Sequence, residues 1–425
     1  NRPTELTLQR LSKSRANSIR NAITLLFVVQ GISSTTYFPR IPDLIDQINV
    51  PLSTWGIIIG VSGLGGLLGL AITNQLIAAF GTTKVTLYSV IGMAVSIMSF
   101  AFITDPFVFL LANLFLALSG GVLNISINAQ AIALQNRVGK VLLGRFHGAW
   151  SLGAGASAIL SGWFATFMPL VIHLTLIPAL SIVAFFFASK NMLRSDEEEK
   201  NVAGSTRKAL NIFKAPPAIW LITLAAFLSI FPEVCVMDWA TVFGRKGLGL
   251  DAGAATVPYI AFVLAMIVGR LSLERLTKRW PLYKISRSAV LVGAVAYAVS
   301  IFIAPTIASA DKVMGMAVLA GLWFVVGLGL SSTVPTVFGS AAFIKGFTTA
   351  QVIAMMSLIN TFTFMLAKMF MGGLAQAFSV QAAFIFPVAL MFGAVFMVGI
   401  VGKKTPKTSA MENAYPPTGP IAAID

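Results

Sequence analysis

One cysteine, Cys235, and two histidines, His147 and His173, are all that 425 residues contain of those types. A single thiol excludes an intrachain disulfide and a cysteine-based metal site, and two imidazoles exclude a multi-histidine centre. Charge is scarce too: Asp, Glu, Lys and Arg make up 11% of the chain, against about a quarter in a soluble domain. The remainder is apolar, 57% of residues with a mean hydropathy of +0.86, which fits a chain crossing a membrane many times. The net charge of +15 would suggest a nucleic-acid partner in a soluble protein. Here its distribution carries the information, and no nucleic acid is expected. No cleavable leader is expected either, because the apolar run after the basic start is too long and lacks a small-residue cleavage pattern. No nucleotide-binding loop is visible, so direct ATP drive, a cofactor and a metal are all outside the expectation.

A helix needs roughly 20 mostly apolar residues to cross a bilayer. On that rule spans fall near 20–39, 52–80, 85–104, 106–134, 144–165 and 169–189. A second set follows near 217–243, 255–273, 285–306, 313–341, 351–374 and 381–402. Between the sets lies the long charged stretch SKNMLRSDEEEKNVAGSTRKALNIFK. The sequence therefore predicts an all-α polytopic membrane protein of twelve helices in two six-helix bundles. The units are 1–189 and 217–402, with a linker over 190–216 and a tail over 403–425.

Basic residues test that count, because cytoplasmic loops retain Lys and Arg. With the N-terminus inside, the 30 Lys and Arg residues gather on inner segments. Only Arg40, Arg245, Lys246 and Lys312 fall outside, and Lys368 lies within a span. Shifting the count by one span would scramble this alternation. Both termini are expected in the cytoplasm, in the cell (inner) membrane. Two bundles with very short outer loops suit a carrier whose halves rock around a site near the midplane, working as a monomer.

The residues carrying chemistry are few. FPEVCVMDWATVFGR, residues 231–245, places Glu233 and Asp238 inside the seventh span, where an ionisable group costs at least ~2.5–3.5 kcal/mol and so faces a cavity or a partner. Five residues rotate the helix by a net ~140°, so the two carboxylates point in different directions. Lys368, in the eleventh span, sits at a depth that allows a pair with either acid. A structural ion pair would cancel two unwelcome charges. The functional alternative has Glu233 taking up a coupling proton, with Lys368 tuning its proton affinity. Trp239 beside Asp238 suits stacking on a sugar face or covering a cation, or anchoring at the interface.

At this point the chain resembles the major facilitator superfamily across all twelve spans. Its loop signature after the second helix reads NQLIAAFGTTK, with Ala78 and Ala79 where Asp and Arg are expected, and the counterpart after the eighth reads ERLTKRWP. A narrower likeness is to the YbjJ-like branch, which includes the rhizopine-associated MosC proteins. It rests on ISINAQ in helix 4, FHGAWSLGA in helix 5, PEV and MDW in helix 7, and AFVLAMIVGR in helix 8. The resemblance implies that helices 7 and 11 are neighbours, that helix 4 lines the cavity, and that helices 2, 5, 8 and 11 form the seam between halves. It also implies an apolar residue or proline where Lys368 stands, and acids where this chain has Asn124 and Gln130.

Amides at Asn124, Asn128 and Gln130 donate and accept hydrogen bonds but carry no proton, so the N-terminal half is expected to bind solute while protons move through the C-terminal half. Gln30, Ser33 and Tyr37 form a polar stripe on the first helix, and Asn360 adds an amide on the eleventh. His147 and Trp150 share a face near the inner end of helix 5, where the imidazole is either a proton exit or a cap. His173 is read as structural. Pro335, within GLGLSSTVPTVFGS, offers a gating bend. The small-residue runs GVSGLGGLLGL and SLGAGASAILSG permit close helix contact.

No nucleophile–base set supports an intramembrane enzyme. The expectation is a secondary carrier, proton-coupled, for a small neutral or weakly charged solute of sugar or cyclitol type. The alternatives are an exporter of amphipathic compounds and an uncoupled facilitator.

Overall fold

The computed structural model describes residues 12–139, 142–193 and 215–403. Most of the expected linker, 194–214, and of the tail, 404–425, lies outside the described residues. Among the described residues there is no strand. The first six crossings are α1 (Lys13–Ile48), α2 (Leu52–Phe80), α3 (Thr82–Phe100), α4 (Pro106–Val138), α5 (Leu143–Phe167) and α6 (Leu170–Ser189). The second six are α7 (Pro217–Gly247), α8 (Ala254–Thr277), α9 (Leu282–Ala308), α10 (Lys312–Phe343), α11 (Thr349–Ala377) and α12 (Val380–Gly402). Eleven of these are long and apolar enough to cross a bilayer on length and composition alone. The exception is α5, a 25-residue helix, whose Gly, Ser and Ala content lowers its hydropathy while suiting it to a packed interior position.

The expected spans are all present, and several run longer. Ser12 caps α1 by accepting from the Arg15 amide, so Lys13, Arg15 and Arg20 sit on the helix itself. The Arg15 guanidinium then donates to the carbonyl of Met192 at 2.8 Å, tying α1 to the end of α6. At its other end α1 passes through a 3-10 turn, Phe38–Arg40, before resuming over Ile41–Ile48. Pro39 and Pro42 remove two amide donors there. α10 breaks at Ser331 and Ser332 rather than at Pro335 itself. The reason is local: a proline ring clashes with the carbonyl four residues back, which belongs to Ser331.

The two halves repeat one packing scheme. In the first, α1 packs on α5 and α6, α2 on α4, and α3 on α4 and α6. In the second, α7 packs on α11 and α12, α8 on α10, and α9 on α10 and α12. Adding six to each label converts one set into the other, as an internal repeat requires. Between halves α2 packs on α11 and α5 on α8, the seam that the resemblance implies, and the far end of α1 also meets α7.

Glycine makes the seam possible. A Cβ on Gly56 would lie 2.8 Å from the Lys368 carbonyl oxygen, and one on Gly372 would lie 2.6 Å from that of Leu52. Backbones this close gain dispersion contacts in a solvent where apolar burial itself gives no drive. Large apolar side chains such as Phe187, Leu271 and Phe378 remain exposed on the outer surface, where hydrocarbon surrounds them.

Polar links between the halves gather at the face away from Ser12 and Lys403, where the described residues begin and end. Arg245 of α7 reaches Asp43 at 3.5 Å and Asp46 at 4.0 Å, while Arg40 holds Asp43 from the other side at 2.7 Å. Thr241 donates to the carbonyl of Phe38 at 3.2 Å, and the Leu52 amide donates to Gln376 at 2.9 Å. Among the described residues, hydrogen bonds and ion pairs between halves occur at this far face. The halves are closed there.

Candidate functional site

Asp238 lies on α7 one turn beyond Cys235, the lone thiol, which is itself 1% exposed. Its carboxylate meets the ammonium of Lys368, from α11, with Nζ and Oδ2 2.8 Å apart. The other acid, Glu233, turns away as the helical rotation predicts. It accepts from the guanidinium of Arg270 on α8 at 3.2 Å. Of the two pairings open to Lys368, the structure shows the one with Asp238, and Arg270 takes the place of the lysine at Glu233. Arg270 lies within α8, two turns before its end, so its side chain reaches a span residue instead of solvent.

Lys368 stands between two spaces. On one side a cavity of about 420 Å³ lies between α2, α4 and α11. Ser62, Asn124, Thr361 and Lys368 supply its polar lining, with Ile59, Leu67, Phe364 and Met365 among the apolar residues. On the other side a void of about 40 Å³ is bounded by Tyr37, Trp55, Phe100, Phe109, Asn113, Asp238 and Lys368. Aromatic contacts close that void: Phe100 stacks on Phe109 at 4.5 Å, Tyr37 meets Phe100 edge-on at 5.8 Å, and Trp55 leans on Phe109 at 5.8 Å. Such pairs contribute about 0.5–1.5 kcal/mol each beyond area burial. The void lies toward the sealed far face, and the cavity extends from Lys368 past Asn124 to Leu70, toward the opposite face.

The polar residues singled out in the sequence divide between cavity and scaffold. Asn124 lines the cavity, and Asn128 orients it by donating to its backbone and side-chain oxygens at 2.8 and 3.0 Å. Tyr37 reaches the void. The remaining candidates lie elsewhere. Ser33 donates to Ser181 at 2.8 Å, bolting α1 to α6. Gln130 is 1% exposed and joins α3 to the end of α6, donating to Thr82, Thr83 and the Leu193 carbonyl while accepting from the Leu193 amide at 3.0 Å. Both are corrections to a binding role, since their polar atoms are spent within the half.

Trp239 is 1% exposed inside the second half, so no face remains for stacking on a solute. Trp150 packs beside α1 near the backbone of Gly31. Gln30 and Asn360 are buried without lining the cavity, and the Oδ1 of Asn360 lacks a hydrogen-bond partner. His147 lies edge-on to Phe27 at 5.4 Å, its Nε2 without a hydrogen-bond partner, and the linker acids that could meet it lie outside the described residues. His173 is structural: Nε2 sits 3.1 Å from Thr36 and 3.2 Å from Ser161.

Sequence reasoning missed Ser62, Asn113 and the Trp55–Phe100–Phe109 wall. A lone serine in a glycine run gives no pattern, and aromatic residues in a membrane span are read as lipid-facing. Among the described residues no cluster of His, Cys, Asp and Glu suited to a metal occurs.

Comparisons with known proteins agree with this geometry. An uncharacterized MFS-type transporter of Yersinia pestis is 26% identical over 324 residues, 75% of this chain and 78% of the relative. The membrane protein MosC of Rhizobium meliloti is 21% identical over 374 residues, 87% of this chain and 86% of MosC. Among solved structures, the nucleoside transporter NupG superposes with a TM-score of 0.72 at 13% identity, covering 92% of this chain and 100% of NupG. The family model of the Major Facilitator Superfamily matches residues 23–344. With the repeated six-helix packing and a lysine-bearing cavity at the seam, these matches make the chain a member of the major facilitator superfamily, a transporter of the membrane.

Proposed function

We propose that this protein is a proton-coupled secondary carrier that moves a small, hydroxyl-bearing organic solute by alternating access, with Asp238 as the proton site. One observation supports this above the others: the Asp238–Lys368 pair, 2.8 Å apart, stands in the wall between the solute-sized cavity and the closed side. A buried pair gives weak net stability, since an apolar replacement of similar volume is often neutral or better. Its presence beside a cavity is therefore read as use. A carboxylate that gains a proton releases its ammonium partner, and that release gives the two halves a reason to rearrange.

Cavity size and lining support a small solute. About 420 Å³ falls within the range of ligand pockets, about 300–1,000 Å³. Nucleosides, the cargo in NupG's name, are likewise small and hydroxyl-bearing. The halves 1–189 and 217–402 act as the rocking units, joined by 190–216 and followed by the tail 403–425. Both termini are cytoplasmic in the inner membrane, so the shape described is the inward-facing state of a monomer.

The test is flux in proteoliposomes. Asp238→Asn should abolish accumulation driven by an imposed pH gradient while sparing exchange of solute between equal pools. Accumulation that persists in the variant removes Asp238 from the mechanism.

A further inference from the structure

From inside the cavity the charge on view is an ammonium. Lys368 lines both spaces, whereas Asp238 lines only the smaller one behind it. A solute in the larger space therefore meets Lys368 with its carboxylate partner at the rear. The ammonium has three donors, and among the described residues Asp238 is the ion-pair partner found for it. Among the described residues no second cation lines the cavity, so a single negative charge is matched and a phosphate-like dianion is not.

The hydroxyls carry a second message. Ser62 donates to the carbonyl of Ile59 at 2.8 Å and Thr361 to that of Ser357 at 2.8 Å. With their protons committed, both oxygens offer lone pairs to the cavity and match donors on a ligand. Ile59, Leu67, Phe364 and Met365 supply apolar contact for a carbon skeleton. One cationic donor, acceptor hydroxyls and apolar walls describe a hydroxylated monocarboxylate, such as a sugar acid or hydroxy acid.

We infer that the solute is a hydroxylated monocarboxylate whose anionic group takes the place of Asp238 on Lys368, with Asp238 carrying the accompanying proton. This rests on the carrier reading above and narrows its substrate class. The groups facing Asp238 are Lys368 from α11, Tyr37 from α1, Tyr259 from α8 and, on its own helix, Cys235. Protonation of Asp238 leaves the ammonium free for the incoming carboxylate, and departure of the solute restores the original pair. One proton travels with one monoanion, so no net charge crosses.

Glucuronate and glucose, gluconate and glucitol, and lactate and glycerol provide acid and neutral probes of matched size. The purified full chain should show a concentration-dependent rise in Tm with at least one acid and none with its neutral counterpart. Lys368→Gln should weaken that response ~10–100-fold, the worth of a charge-assisted hydrogen bond, whereas Lys368→Arg should retain it. In Asp238→Asn the response should persist and lose its pH dependence. In wild-type proteoliposomes, which need no variant to fold, uptake of the acid should follow the pH gradient and ignore a potential set with valinomycin and potassium.

Stabilisation by the neutral probe alone, an acid response unchanged in Lys368→Gln, or no response to any acid overturns the inference. Potential-driven uptake of a neutral solute that needs Asp238 overturns it while leaving proton coupling intact. Acid binding through Lys368 with flux indifferent to pH keeps the substrate class and removes the coupling.

Discussion

Gln130 and Asn124 show how one residue type serves two ends six positions apart. Both are amides on α4, yet Asn124 lines the cavity and Gln130 ties α3 to the end of α6. Gln130→Leu is therefore expected to lower stability by about 1–3 kcal/mol, because the Leu193 amide and carbonyl lose a buried partner. Thermal unfolding of the purified variant would show a reduced Tm, with the solute KM unchanged. Ser62→Val should do the reverse, raising KM with little change in Tm, since its oxygen accepts only from a ligand in this reading. Glu233→Gln should leave pH-driven accumulation in place, because the lysine beside the cavity pairs with Asp238 and not with Glu233. Loss of accumulation in a well-folded Glu233→Gln protein would return the proton site to Glu233. Which acid pairs with Lys368 was not legible in the sequence. Depth along a helix placed both carboxylates within reach, and the choice depends on helix rotation against α11, which periodicity alone does not fix.

At the scale of elements, the seam between α2 and α11 depends on missing side chains. A Cβ on Gly60 would lie 2.8 Å from the Met365 carbonyl oxygen, as tight as the contacts at Gly56 and Gly372. Gly372→Val is expected to push the helices apart on the far face and disfavour the closed arrangement, at a cost of about 1–3 kcal/mol. A cysteine introduced beside the void, at Asn113, should then react faster with a membrane-impermeant thiol reagent added from the far side. Arg245→Ala should act in the same direction more mildly, by removing the link to Asp43 and Asp46. Equal labelling rates in parent and variants would show that neither feature holds that face shut. Much at this scale was legible beforehand. The twelve spans, the glycine-rich runs and the bend before Pro335 all follow from length, residue size and the missing proline amide. The continuation of α1 through Phe38–Arg40 into Ile41–Ile48 was not legible. Two prolines and an arginine read as a loop until Arg40 is seen held by Asp43 and by the Met168 carbonyl at 2.9 Å.

At the scale of the molecule, each half closes its own packing list before the seam is counted. Two chains cut anywhere in 194–214 and expressed together should therefore assemble and transport, as judged by uptake in cells carrying both halves against either alone. Failure of the pair with both halves present in the membrane would mean that the linker sequence contributes more than a tether. The far face carries the Arg245–Asp43 link, while the last turn of α2 has Ala78 and Ala79 where the superfamily signature has Asp and Arg. That asymmetry favours the shape described, closed on the far side, as the resting state in the absence of solute.

The single thiol gives this chain a built-in gauge. Cys235 is enclosed a turn away from Asp238, so its alkylation by a small maleimide must wait for the packing around α7 to loosen. A reaction followed over hours, with and without an acid probe, would time that loosening in the unmodified protein, with no engineered label.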